Sequence, residues 1–543
     1  MDNSFQKRHF ASRYNYMSTW LTYSQLFDRK ASKDEIIADI QRFKLSEALI
    51  ILAKFSVLDE KGKRKLMEYL GPQMRSQFFV RNTEPVVLIT VLYSFKWFLA
   101  YGTENPHYAF TTSQSKLDNL LTTILKIADL IEDETDNTND INIENQVLKA
   151  SLFSLPGEMD QGIIRQHLMF EDIARKADDS DSYIDIHSIF EREYGYSMKQ
   201  YVSTVFSLEQ LVVQGVTLEN LTNFRPWGIK PSMYFNESQM KDIALKITEE
   251  LSTNIDLLRN WAKKTLNNPY DYEQLLKTPL LKVNEFIIPI SDAFIQQALF
   301  DGLYFKINTA CKMNQKDFPQ FFGKIFEKYV QKVLQSSVEE SEKLNYQYIN
   351  EFLLKDKTNN WSSDAFVKLG KALLIVECKS GRILKETKVS ADREKGNDKF
   401  KIYALEAIRQ ANNAYEAALQ HNSGKFKQVE QVAIISVSMQ SFPKLPTYNQ
   451  MLEQLKPELH SHVKIIDYIG LSDLEILASV ISQNDSSVFN YIESKKADNE
   501  YISYYEFHNE FHNEFHKNEL TKFLNEVLNT ANAAITETFF GPS

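Results

Sequence analysis

The chain has 543 residues, of which 43% are hydrophobic and 25% are charged, and its formal net charge is −10. This length and composition are ordinary for a globular protein with two or three domains. The chain has two cysteines, Cys311 and Cys378. So few cysteines indicate a reducing compartment and argue against a disulfide framework or a thiolate zinc site.

The sequence shows neither a secretory signal nor a membrane span. The N-terminal residues lack the apolar core of a signal peptide. Residues 85–101 are the most apolar stretch, but Lys96 interrupts it and it is short for a transmembrane helix. A buried core helix is the better prediction for this stretch. We therefore expect a soluble, cytoplasmic protein with no membrane partner.

Residues 1–305 are expected to form a mostly helical N-terminal region. Apolar periodicity predicts helices over five segments: 34–58, 115–131, 160–176, 197–213 and 237–265. This half has no phosphate-binding GxxxxGK motif, which argues against an NTPase motor, and it has no defensible catalytic set. We interpret it as a recognition or regulatory region that binds substrate, a protein partner or a second copy of the chain.

A helix and a strand are predicted to follow. Residues 318–334 place apolar side chains at helical spacing, and residues 346–354 have the character of a strand. The apolar positions of the helix are Phe322, Phe326, Tyr329, Val330, Val333 and Leu334.

Residues 363–380, with the sequence SDAFVKLGKALLIVECKS, predict a β-hairpin. Two short apolar runs flank the single turn signal, which is centred on Gly370. A two-residue loop with glycine first favours a type II′ turn, which would pair Leu369 with Ala372. The second run is continuously apolar, as in a strand that is buried on both faces.

This register brings polar groups together at the open end of the hairpin. Asp364 lies opposite Glu377, with Cβ atoms about 4.5–5.5 Å apart. Strand alternation puts Lys379 on the same face as Glu377, while Cys378 points to the core. Two close carboxylates repel each other unless a cation lies between them, and their hard oxygen ligands suit Mg²⁺ or Mn²⁺. A solvated acid–acid–lysine surface is the alternative interpretation of the same residues.

Further elements follow the hairpin. A helix is expected over residues 399–419, then strands over 432–437 and 463–469. Ser472 and Glu475 have the spacing of a capping box at the start of another helix. Residues 483–543 are expected to form a C-terminal helical segment.

Basic residues cluster after the hairpin, although the whole chain is acidic. Residues 379–401 contain eight basic and four acidic residues and predict a mobile loop that leads to the next helix. Phosphate contacts there would supply sequence-independent affinity for nucleic acid. The candidate contact residues are Arg382, Lys385, Lys388, Arg393 and Lys395.

The order of these elements resembles the PD-(D/E)XK nuclease superfamily, which has a restriction-endonuclease-like fold with an αβββαβ core. The similarity covers residues 315–470, and Ser363 stands where the family has its signature proline. The expected fold class is α+β or α/β. Residues 1–305 would form the helical region, 306–482 the nuclease domain and 483–543 the C-terminal helices.

The resemblance also implies roles for individual residues. Asp364 and Glu377 would hold Mg²⁺ or Mn²⁺, and Glu327, which matches the acid of the family's first helix, would support the ion directly or through water. Lys379 would act on the attacking water, and Gln410, which matches a polar residue of the second helix, would orient substrate or water. The expected activity is hydrolysis of DNA phosphodiester bonds, with 5′-phosphate and 3′-hydroxyl products.

Several functions remain open at this level. Defence of a bacterial cell against phage or foreign DNA is an analogy from the fold alone. The cut can be internal or terminal, and RNA is an alternative substrate because no base-reading motif is visible. A catalytically silent binding module on the same fold, or an interaction protein built on the N-terminal helices, is the competing class.

Overall fold

The chain divides into two compact units in a computed structural model. The model describes residues 19–58, 62, 66, 83–84, 86–104, 114–132, 159–177, 182–213, 228–354, 361–381, 393–421, 424–439, 441–483, 485–511 and 520–541. Unit 1 consists of the described residues of Met1–Ile143, Tyr194–Tyr304 and Ala534–Ser543, and unit 2 of those of Glu144–Glu193 and Phe305–Ala533. No described helix combines the length and apolar character that a membrane crossing requires.

Unit 1 is mostly helical. A small sheet joins Ser252–Asn254 in parallel to Leu280–Val283, which pairs in antiparallel fashion with Phe286–Pro289. Thr19–Trp20 pairs with Thr83–Glu84. The helices are Tyr23–Phe27, Lys33–Gln41, Leu45–Phe55, Leu88–Tyr101, Gln114–Glu132, Met198–Val213, Pro231–Tyr234, Lys241–Glu250, Ile255–Thr265, Glu273–Lys277 and Asp292–Gln297, followed by the π-helical turn Ala298–Gly302.

Two of the predicted helices are each divided in two. The segment 34–58 breaks at Lys44, which is extended and forms a β-bridge with Thr103. The segment 237–265 breaks where Ser252–Asn254 joins the small sheet, and Asn254 then caps the next helix by accepting from the Leu257 amide. In both places a backbone pairing with a distant segment overrides the local helical pattern.

The apolar stretch around Lys96 is a buried core helix, as predicted. Its lysine is fully buried, and the ammonium donates to the carbonyl oxygens of Thr265 and Asn268 at 2.9 and 2.8 Å. It also lies 4.8 Å from the centre of the Trp261 ring. Burial lowers the pKa of Lys96 to about 7. The carbonyl and ring contacts explain why a lysine is tolerated inside this helix.

The centre of unit 2 is a five-stranded mixed sheet. Its strands are β1 (Gln347–Asn350), β2 (Ala365–Leu369), β3 (Ala372–Lys379), β4 (Gln431–Ser438) and β5 (Val463–Ile469). They lie in the order β5-β4-β3-β2-β1, and the first three strands along the chain are antiparallel while β4 and β5 are parallel to β3. The first strand is shorter than expected.

Helices flank this sheet in chain order. Helix α1 (Phe318–Glu339) precedes β1, helix α2 (Glu406–His421) lies between β3 and β4, and helix α3 (Leu471–Gln483) follows β5. The apolar positions predicted for α1 are all buried. The other helical segments with residues in unit 2 are Met159–Gln166, His167–Ile173, Ala174–Lys176, Ile186–Tyr194, Leu303–Met313, Arg393–Phe400, Lys401–Leu405, Pro446–Leu455, Lys456–Glu458, Val488–Asp498, Tyr504–Phe511 and Lys522–Phe540. Three of them have one end in unit 1, at residue 194, at residues 303–304 and at residues 534–540.

The predicted hairpin register is confirmed. Leu369 pairs with Ala372, and the ladder continues to Ala365 opposite Val376. Gly370 has a φ of 57°, whereas Lys371 is not among the residues with positive φ. Positive φ at the first loop position alone is the pattern of the type II′ turn, which suits glycine there.

The predicted capping box is wrong. Helix α3 begins at Leu471, so Ser472 and Glu475 lie within the helix. Glu475 is 3% exposed and accepts two bonds from the Arg165 guanidinium, at 2.6 and 2.8 Å. It also accepts from the Tyr329 hydroxyl of α1 at 2.6 Å. The glutamate therefore binds a buried cation. Within unit 2, this contact joins the helix Met159–Gln166, which was predicted to belong to the N-terminal region, to α3.

Replacing Glu475 with alanine should destabilise unit 2 by about 3–5 kcal/mol, because Arg165 would be left buried without its carboxylate. Urea unfolding followed by circular dichroism measures this loss. The matched control is Glu458→Ala, which removes an exposed ion pair with Arg409. The Arg409 side chain is 46% exposed and that of Glu458 is 56% exposed. We expect a loss below about 1 kcal/mol for this control. Equal losses in the two variants would contradict the assignment.

Candidate active site

The site lies where strand β3 leaves the buried sheet. Leu373, Leu374, Ile375 and Val376 are at most 1% exposed, as expected for a strand that is covered on both faces. Glu377 and Lys379 follow and are half-buried, while Cys378 between them is buried. The apolar run fixes the strand, and its end presents an acid and a lysine.

Asp364 stands immediately before β2, next to the end of β3. One of its carboxylate oxygens accepts from the backbone amide of Cys378 at 2.6 Å. Gln331 of α1 donates to its backbone carbonyl at 3.1 Å. Because Ala365 pairs with Val376, the ladder brings Asp364 opposite Glu377, and each of these two positions is held by the same hairpin.

Lys379 connects the hairpin to helix α2. Its ammonium donates to a carboxylate oxygen of Glu377 at 3.3 Å and to the side-chain oxygen of Gln410 at 2.6 Å. A lysine ammonium has three donors, so one proton remains after these two bonds. The structure thus brings Gln410, which is far away in sequence, to the lysine.

Glu327 of α1 faces the same group of charges. The pKa of its carboxyl is raised to about 7, first by burial and then by the charges of Asp364 and Glu351, while Lys379 opposes the shift. Burial and the charge of Asp364 likewise raise the pKa of Glu377 to about 7. Burial also raises the pKa of Asp364, to which the charge of Glu351 contributes. Four acids therefore act on one another in a partly dehydrated space, and the charges of Lys379 and Lys324 offset their repulsion only in part.

Glu351 is a site residue that the sequence did not reveal. It directly follows β1, and since Asn350 pairs with Ala365 in an antiparallel ladder, Glu351 stands opposite Asp364 on the neighbouring strand. Glu351, Asp364 and Glu377 thus occupy neighbouring positions on three adjacent strands. The sequence placed Glu351 inside the predicted strand 346–354, and the register between β1 and β2 could not be derived without their turn.

The described residues contain no group of three His, Cys, Asp or Glu side chains arranged to hold one metal ion. The acids nevertheless suit a hard cation, because their carboxylates repel each other and favour protons in its absence. Mg²⁺ requires only one or two protein carboxylates when waters and phosphate oxygens complete its shell. Asp364 and Glu377 would be those ligands, with Glu327 acting through water.

The predicted basic loop is only partly within the described residues. Arg382, Lys385 and Lys388 lie outside them. The helix expected from residue 399 begins earlier, at Arg393, so Lys395 lies exposed on a helix and not in a loop. The packing of Phe400 accounts for the earlier start of the helix, because its side chain is fully buried and stacks on Tyr448 at a ring distance of 4.0 Å.

A glycine and a tyrosine shape the exit from β3. Any side chain at Gly381 would overlap the ring of Tyr403. The Tyr403 carbonyl accepts from the hydroxyl of Ser436, which is the β4 neighbour of Glu377 in the sheet register. The close packing fixes the direction of the backbone at Gly381, two residues after Lys379.

Comparison with protein-family models, with curated proteins and with solved structures gives no match for the chain.

Glu377→Gln should stabilise the metal-free protein at pH 8. A carboxyl whose pKa rises from 4.5 to about 7 on folding contributes stability below pH 4.5, and this contribution is lost as the pH rises through 7. The neutral glutamine removes that loss, which we expect to be worth about 1–3 kcal/mol at pH 8 and close to nothing at pH 4.5. Urea unfolding in EDTA at both pH values measures the difference.

The control for this experiment is Glu430→Gln, which changes an exposed glutamate paired with Lys371 at the turn end of the hairpin. The difference in unfolding free energy between this variant and the parent should be the same at pH 8 and at pH 4.5. A Glu377→Gln protein that is less stable than the parent at pH 8 would show that the carboxylate is not under repulsion.

Proposed function

We propose that the protein is a divalent-metal-dependent nuclease that hydrolyses phosphodiester bonds of DNA. The observation that carries the proposal is the convergence of Asp364, Glu377 and Lys379 at the end of one hairpin, with Gln410 on the lysine. A PD-(D/E)XK-like function for unit 2 agrees with this convergence and with the helix–strand order around it. Defence of a bacterial cell against phage or foreign DNA is the proposed role, by analogy of fold.

The two acids of the hairpin would hold Mg²⁺ or Mn²⁺. A divalent ion in such a site supplies a water of lowered pKa and stabilises negative charge on the phosphate oxygens. The amide of Cys378 fixes one oxygen of Asp364, which leaves the other for the ion. The acids are crowded in a space of low polarity, and binding of a dication would relieve their repulsion.

Lys379 would position the attacking water or bind the phosphate. Its bonds to Glu377 and Gln410 restrict the ammonium to one place and leave one proton for a substrate or water oxygen. A preorganised positive charge beside the reacting phosphorus would stabilise the transition state. Gln410 would act by holding the lysine, since its own side chain is exposed and its oxygen is occupied by that bond.

Glu377→Ala and Lys379→Ala should each lower cleavage by about 100-fold or more, because each removes a group that acts on the reacting phosphate. The assay incubates purified protein with supercoiled and linear DNA and with Mg²⁺ or Mn²⁺. Circular dichroism and thermal unfolding confirm that both variants are folded.

The matched control is Lys371→Ala. Lys371 lies at the turn end of the same hairpin and forms an exposed ion pair with Glu430, whose side chain is 65% exposed. We expect activity within about twofold of the parent for this variant, since exposed pairs contribute little. Cleavage that survives Glu377→Ala or Lys379→Ala would refute the site. Cleavage of RNA but not DNA would change the substrate class and keep the site.

A further inference from the structure

We infer that Trp361 is a stacking platform for an unpaired base of the DNA strand that is cut. The inference rests on the proposed nuclease function and adds to it the substrate class, which is single-stranded DNA. The observation behind it is an exposed aromatic side chain on a hydrogen-bonded backbone three residues before Asp364.

Trp361 is 60% exposed, and its neighbour Leu353 is 51% exposed. The two residues face each other in an antiparallel β-bridge that lies beyond the end of the β1–β2 ladder. Single exposed apolar residues are common on protein surfaces and need no explanation. The bridge places two large apolar side chains side by side, however, and an exposed indole can stack on a planar ligand.

The position of this pair relates it to the site. Leu353 lies two residues beyond Glu351, which is about 7 Å along an extended strand. Trp361 lies three residues before Asp364. A strand whose phosphate lies at Asp364 and Glu377 would therefore bring a neighbouring nucleotide within reach of the indole ring.

The backbone that carries Trp361 is fixed by three hydrogen bonds. The amide of Ser362 donates to the Phe352 carbonyl at 2.9 Å, and the Phe352 amide donates to the Ser362 hydroxyl at 2.9 Å. This hydroxyl donates in turn to the Ser363 carbonyl at 3.1 Å. The backbone at Trp361 is thus preorganised, and less conformational entropy is lost when a base stacks on the indole.

An unpaired base is the occupant that fits these features. Every base has a π-face, so stacking on an aromatic ring needs no particular sequence, and the bases of a duplex have their faces covered by their neighbours. The acids of the site, which are Glu327, Glu351, Asp364 and Glu377, outnumber the lysines that act on them, Lys324 and Lys379. Without bound cations this excess of negative charge disfavours an acidic peptide and DNA alike, and cation binding at the acids would favour the phosphates of a strand.

The test measures binding of a fluorescein-labelled thymidine 20-mer by fluorescence anisotropy. The protein keeps Lys379, and the buffer contains Ca²⁺ in place of Mg²⁺, so that a hard cation can bind the acids. A denaturing gel of the oligonucleotide after the measurement shows that it stays uncut. Trp361→Ala should weaken binding of the single strand by about tenfold or more, while Trp361→Phe should retain most of the affinity. Affinity for the same oligonucleotide annealed to its complement should change by less than about twofold.

Phe305→Ala is the matched control, since Phe305 is an aromatic residue of unit 2 with 51% exposure outside the site. It should bind like the parent. Unchanged binding of the single strand by the Trp361→Ala protein would overturn the inference and leave the nuclease proposal standing. Failure of the parent to bind either DNA would overturn both proposals.

A second occupant is detectable in the same preparations. β1 is the edge strand of its sheet, and an exposed apolar pair beside an edge also suits pairing with a second copy of the chain. If mass photometry shows a dimer that Trp361→Ala converts to a monomer, the surface is an oligomer contact and the stacking inference is wrong.

Discussion

The crowding of carboxylates at the open end of one hairpin is the constraint on which the account depends. Burial and mutual repulsion raise the pKa of Glu327 and Glu377 to about 7, and the charge of Lys379 opposes both shifts. A fold gains nothing in stability from such a cluster. The surrounding structure holds it in place through the buried run of β3, the amide of Cys378 and the packing of α1.

This division between a stabilising scaffold and a strained site runs through unit 2. Glu475 is as buried as any acid of the site, yet it meets two bonds from Arg165 and one from Tyr329. The acids at the hairpin end are compensated less: Asp364 accepts from the backbone amide of Cys378, and Glu377 accepts from Lys379 at 3.3 Å. A satisfied buried carboxylate indicates a structural role, whereas a set of repelled carboxylates indicates a ligand of opposite charge.

The hairpin could be predicted from the sequence because its determinants are local. One glycine between two apolar runs sets the turn, and the turn sets every pair up to Ala365 and Val376. Helix α1 and strand β5 were predictable for the same reason, since apolar periodicity alone decides them. The helical nature of the described N-terminal residues follows from the same periodicity.

What sequence reasoning missed depends on contacts between distant segments. Lys44 leaves its helix to bridge Thr103, and Ser252–Asn254 leaves another to join a sheet. Glu475 has the sequence spacing of a capping-box residue, but in the structure it lies within α3 and binds Arg165. Glu351 joins the site only through the pairing of β1 with β2, whose connection carries no turn signal that fixes a register. Local pattern gives the elements, and tertiary contacts decide their ends and partners.

Anomalous diffraction from crystals soaked in Mn²⁺ tests the central claim most directly. The account predicts a manganese peak between the carboxylates of Asp364 and Glu377, with about 2.0–2.2 Å to an oxygen of each, and no peak there in a Glu377→Ala crystal. A crystal in which the ion is absent from this position, while both carboxylates are ordered at pH 8, would contradict it.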